Sequence, residues 1–195
     1  MGLFYTNVTL FKVEQKQVAD FLAKQKRKAF LSPTVGNFTV VYDHQTEDQD
    51  VGVLMKLAES LTRQFKCTGL ASLVHDSDVY MYWLYENGRL LDTYNSLPGY
   101  FDSDADDPTP EGGDVKKLCK AFGRPEAESE LTRVFSVVAQ NNLDGGGEEY
   151  LLAEEIHGSL AGALAMPPFA AFTGYHTIEN SELPEGLAQT SLIKL

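Results

Sequence analysis

Aromatic and β-branched residues crowd positions 3–13, an enrichment that predicts a strand. Val18, Phe21 and Leu22 then repeat at i, i+3 and i+4, which predicts a helix running to Phe30. Phe38 to Tyr42 reads as a second strand. Beyond it Asp50 can cap a helix whose apolar stripe is Leu54, Leu57, Leu61 and Phe65, with Gly69 just past its end. This β-α-β-α order favours a sheet with helices packed on at least one face.

Three closely spaced strands follow, over residues 68–75, 78–86 and 89–95. Asn87-Gly88 joins the last two, and a type I′ turn needs φ > 0 at both central residues, which Asn and Gly tolerate best. Asp76-Ser77 is a weaker version of the same turn. The expected fold class is α+β: a two-layer sandwich with a mixed, largely antiparallel sheet, a ferredoxin-like βαβαβββ start and a C-terminal helical part. From Ser96 to Asp114 the composition turns to Pro, Gly and Asp, the mark of an exposed loop. Three helices are expected after it. Asp114 caps the first, which stops at Gly123; the second follows Pro125 and buries Leu131, Val134, Phe135 and Val138; the third carries Leu152, Ile156, Leu160 and Leu164 and ends at Pro167-Pro168. A last strand is expected over residues 171–178, before a tail with Leu192 and Ile193. The chain thus divides into a sheet-and-helix core, 1–101, and a second part, 102–195, packed on the same domain.

Charge modifies this picture. The 195 residues include 16 Lys and Arg against 28 Asp and Glu, a formal net charge of −12. Up to Lys66 there are nine basic and seven acidic residues; after it there are seven basic and 21 acidic. A surface of that sign repels phosphate backbones, which argues against nucleic acid and for a basic protein partner or a cation. Cys67 and Cys119 have no zinc or C-x-x-C spacing and read as reduced thiols. With neither a signal-peptide pattern nor an apolar run of about 20 residues, a cytoplasmic protein without membrane association is expected.

The motifs that carry chemistry are incomplete. Asp102, Asp104 and Asp106 match the first ligand positions of an EF-hand, yet Asp107 stands where the loop needs Gly and Gly113 where it needs a bidentate Glu. His75-Asp76-Ser77-Asp78 needs only turn chemistry to explain it. Glu154 and His157 have the i, i+3 spacing of a di-iron helix, but a single such pair reads as a surface pair. Ser96 lacks the opening Gly of a nucleophile elbow, and Gly145 to Gly147 lacks the Lys-Ser/Thr of a phosphate loop. The basic run from Lys24 to Lys28 reads as a solvated face. No metal and no cofactor is therefore expected.

The hairpin around Asn87-Gly88 is the most informative feature. Unbroken ladder counting sets Glu86, Leu84 and Tyr82 opposite Arg89, Leu91 and Thr93, and sets Tyr85, Trp83 and Met81 opposite Leu90, Asp92 and Tyr94. Both faces are apolar or aromatic. Either the strand is central and covered on both sides, or it leaves an aromatic face open to a ligand. On the second reading the ligand-binding residues are Trp83, Asp92 and Tyr94, with Asn95 and Tyr100 on the loop that continues from the rim.

The run from Asp78 to Phe101 (DVYMYWLYENGRLLDTYNSLPGYF) resembles a group of conserved bacterial proteins with no assigned activity. The likeness continues more loosely through Leu160 and the segment Ala-Phe-Thr-Gly-Tyr-His-Thr-Ile ending at Ile178. It implies a bacterial cytoplasmic origin and no site residue. The expected function is a non-enzymatic binding or regulatory module whose acidic surface meets a basic protein partner. The alternative is a small-molecule-binding protein or enzyme using a pocket beside Trp83, Asp92 and Tyr94.

Overall fold

Alternate residues of the first strand point to opposite sides of the sheet, and both sets are buried. In the computed structural model, which describes residues 2–101, 108–144 and 151–195, β1 (Tyr5–Phe11) sends Val8 and Leu10 into one apolar core and Tyr5 into another. The elements that follow are α1 (Gln15–Lys24), β2 (Ala29–Leu31), β3 (Phe38–Asp43), α2 (Val51–Phe65), β4 (Thr68–His75), β5 (Val79–Glu86), β6 (Arg89–Asn95), β7 (Glu111–Gly112), α3 (Val115–Phe122), α4 (Glu128–Asp144), α5 (Ala153–Ala163), α6 (Tyr175–Glu179) and β8 (Ile193–Lys194). The strands form one sheet in the order β7-β6-β5-β4-β1-β3-β2-β8. Its strand pairs are all antiparallel, so the α+β class holds and the sheet is not mixed. The inner order β4-β1-β3-β2, with α1 and α2 on one face, is the ferredoxin-like start.

On that face Val18 and Leu22 of α1 and Leu54, Leu57 and Leu61 of α2 pack over Val41, Ala71, Leu73 and Trp83. The opposite face carries Tyr42, Leu70, Tyr80, Tyr82 and Tyr94, and it is covered by Leu118 and Phe122 of α3, Leu131 and Val134 of α4, Ile156 and Leu160 of α5, and Ile178 of α6. The two layers of the first half therefore gain a third, and the C-terminal part shares a core with the sheet. The acidic stretch 102–107 and the glycine triplet 145–147 lie outside the described residues.

Two expected elements need correction. The tail of the first expected helix is instead β2: α1 stops at Lys24, Lys26 turns left-handed at φ 55°, and a three-residue strand is too short to show alternation. The last expected strand, residues 171–178, joins no strand. There Tyr175 and Ile178 are buried three residues apart within α6, and the Glu47 carboxylate accepts the Tyr175 N–H at 2.9 Å. The strand that does close the chain is β8, paired with β2. The caps read from sequence hold at Asp50, Asp114 and Gly123, although Lys66, at φ 50°, ends α2 ahead of Gly69.

Part of the basic run is built into the fold. Arg27 donates from Nε and Nη2 to the two oxygens of Asp43, each at 2.6 Å, and the Asp43 side chain is fully buried. Asp43 also accepts the Gln45 N–H, and its carbonyl accepts the Thr46 hydroxyl, shaping the turn His44–Thr46 that leads towards α2. Lys28 pairs with Glu179 across to α6. Cutting Arg27 back would strand a buried carboxylate: Arg27→Ala is expected to cost about 3–5 kcal/mol in urea unfolding, far more than Lys24→Ala at an exposed position.

Glu154 and His157 are buried, not the surface pair that their spacing suggests. Glu154 accepts the Ser77 hydroxyl at 3.0 Å, whereas His157 Nδ1 shares a hydrogen bond with the Tyr5 hydroxyl at 2.9 Å and its ring stacks on Tyr80 at 4.9 Å. Burial pushes the His157 pKa down to about 3. The unfolded chain then binds a proton that the folded chain refuses, so stability is present above the ordinary value of 6.5 and is lost as pH falls from there towards about 3. Between pH 6.5 and 5 the wild type should lose about 2 kcal/mol more than His157→Gln, measured by urea unfolding at each pH.

Candidate functional site

The expected Trp83, Asp92 and Tyr94 face does not form. In β5–β6 Glu86 pairs with Arg89 and Tyr85 with Leu90, but Leu84 then pairs with Asp92, Trp83 with Thr93, Tyr82 with Tyr94 and Met81 with Asn95. Leu91 is the extra residue of a β-bulge, and one inserted residue moves everything beyond it to the other face. Trp83 lies under the helices of the first half, 8% exposed, whereas Tyr94 lies on the opposite face, stacked on Phe135 at 4.4 Å and on Tyr82. Asp92 accepts the Tyr82 hydroxyl at 2.7 Å and the Asp114 N–H at 2.9 Å, which ties the start of α3 to the sheet. Burial and this carboxylate together raise the Tyr82 pKa.

Asn95 and Tyr100 lie nearer to a cavity. Asn95 pairs with Met81 and bonds the Leu97 N–H, turning the chain towards Tyr100. Met81 lines a cavity of about 630 Å³ where the sheet emerges past the first turn of α2. Leu73, Val51, Phe4 and Phe101 supply its apolar wall, and Glu47, Asp48, Gln49 and His75 its polar groups. Among the described residues no Lys or Arg lines it.

His75 is the centre of this arrangement. Phe4, Phe101 and Tyr100 all meet its ring edge-on, with centroids at 4.8, 4.9 and 5.5 Å. Phe4 is 47% exposed and Phe101 61%, so large aromatic surface faces solvent beside the imidazole. Each wall is held from outside. The Ser77 hydroxyl accepts the Leu3 N–H at 2.8 Å and Asp76 accepts the Gly2 N–H at 2.9 Å, strapping the segment that carries Phe4 onto the β4–β5 turn. Tyr100 donates its hydroxyl to Asp78 on that turn. Glu47 receives the N–H groups of Thr6 and Tyr175, and burial raises its pKa.

Gln49 is the positioning residue that the pattern of the chain does not signal. It stands in the left-handed region at φ 58°, an uncommon place for Gln, with its N–H on the Thr46 carbonyl. From there its side-chain amide donates to the Val74 carbonyl at 2.8 Å and meets His75 Nδ1. His75 ends β4, as the strand expected over residues 68–75 requires. The neighbouring turn uses Asp76 and Ser77, both at positive φ.

A second groove, about 690 Å³, runs beside α5 and is lined by apolar residues such as Met166, Pro168 and Phe172 together with Glu155, Ser159 and Glu185. It brings fewer polar side chains together. Among the described residues no group of three His, Cys, Asp or Glu could hold a metal ion, and no helix is long and apolar enough to cross a membrane.

Asp92 therefore has a structural part to play. Asp92→Ala orphans the buried Tyr82 hydroxyl and the Asp114 N–H, and it is expected to lower stability in urea unfolding by about 2–3 kcal/mol.

No protein-family model, no curated protein and no solved structure matches the chain, so a functional reading rests on the geometry of this cavity.

Proposed function

We propose that the protein is a non-enzymatic, cytoplasmic binding module for a basic protein partner, and that the cavity around His75 receives a cationic side chain of that partner. The observation that carries this reading is the convergence of exposed aromatic rings, Phe4 and Phe101, with the carboxylates of Glu47 and Asp48 in a cavity that no Lys or Arg lines among the described residues. Aromatic faces attract cations through the ring quadrupole, and nearby carboxylates add Coulomb attraction that is strongest where water is partly excluded. Asp76 and Asp78 on the adjoining turn and the net charge of −12 extend the same sign around it. The cavity's volume suits one long side chain or a small ligand. The rival pocket would need Trp83, Asp92 and Tyr94 on one face, which the bulge separates.

The test is a titration of the full chain with a capped lysine peptide, followed by NMR or calorimetry at low and at high salt. Saturable binding that weakens with salt is expected, and Phe101→Ala should weaken it by roughly 3–10-fold. Absence of binding, or equal affinity in Phe101→Ala, would remove the reading. At the level of the partner, capture of a basic protein should likewise be lost on raising the salt.

A further inference from the structure

The hydrogen bonds around His75 decide which kind of cation the cavity suits. The Val74 carbonyl can only accept, so the Gln49 atom 2.8 Å from it is the amide nitrogen, and the amide oxygen is the atom that meets His75. An oxygen there requires Nδ1 to carry the proton. In the neutral ring Nε2 then bears a lone pair. No described residue hydrogen-bonds Nε2, and the His75 side chain is half-buried. A lining ring thus offers the cavity an acceptor, held in one tautomer by a Gln whose own backbone sits at φ 58°.

We infer that the His75 cavity takes a cation that brings its own N–H donors, a primary ammonium such as a lysine side chain, and discriminates against a quaternary ammonium. This inference rests on the cation-binding reading above and sharpens it. Aromatic rings alone would favour the opposite choice, because a trimethylammonium loses less hydration on entering an aromatic site. What reverses the preference is Nε2: a primary ammonium donates to it, whereas three methyl groups leave that acceptor unpaired and desolvated.

Nα-acetyl-lysine N-methylamide and its Nε-trimethyl form serve as probes, each titrated into the full chain by NMR. The lysine form is expected to bind roughly tenfold tighter. In His75→Phe, which keeps an aromatic ring and removes the acceptor, the two affinities should converge through loss of lysine binding. Independently of any ligand, long-range ¹H–¹⁵N correlations of the wild type should show His75 protonated on Nδ1, and Gln49→Met should abolish that bias. Equal or tighter binding of the trimethyl form by the wild type overturns the inference and leaves the cation reading standing. Failure of both probes to bind overturns the cation reading as well. A wild-type His75 protonated on Nε2 overturns the tautomer argument whatever binds.

Discussion

A sheet whose central strands are buried on both faces cannot stand with helices on one side only, and this constraint organises the rest of the molecule. β1, β3 and β4 are buried almost without interruption. Each must place every second side chain into one core and the remainder into the other. The ferredoxin-like start supplies only two helices, both on one face. The chain after β6 exists in structural terms to cover the other, and it does so with α3 to α6 around a layer of tyrosines. Three hydroxyls caught in that second layer are met there, Tyr82 by Asp92, Tyr5 by His157 and Tyr42 by the Phe169 carbonyl, whereas the Tyr94 hydroxyl finds no partner among the described residues.

The candidate site lies where this covering is incomplete. Leu73, His75 and Met81 reach the end of the first-half face just as α2 begins, so their side chains are walled by its first residue and by loops. Those loops are stiffened from within the fold. The buried Arg27–Asp43 pair shapes the turn leading to Glu47 and Gln49, and the β4–β5 turn holds the segment bearing Phe4 on one side and the start of α5, through the Ala153 N–H on Ser77, on the other. A rigid sheet end with strapped loops is a setting in which a few polar groups keep fixed directions, which recognition by hydrogen bonding requires.

Nearest-neighbour chemistry explains which elements were visible beforehand. The helical stripe of α2, the Asp50 and Asp114 caps, the Asn87-Gly88 turn and the three strands around it are written in residues close together in the chain, so they were legible from it. The α+β class followed from their order. β2 is too short to show a period, and the segment of α6 has strand-like composition but is made helical by contacts with β1 and Glu47. Trp83, Asp92 and Tyr94 illustrate the sharpest limit: each was placed in the right hairpin, yet a single bulged residue, Leu91, put two of them on the face away from the third.

By itself, then, the sequence determined the local elements, the acidity of the chain and the absence of any complete short catalytic motif, because these depend on spacing, composition and intrinsic turn preference. Only the tertiary structure decided that His75 is more than the end of a strand. The groups that define its surroundings, Phe4, Gln49 and the pair Tyr100 and Phe101, come from three stretches of chain with no shared period. Their meeting follows from how the sheet ends, how the buried Arg27–Asp43 pair turns the chain, and which atoms a fixed carbonyl can accept from. These are long-range constraints that no local pattern records.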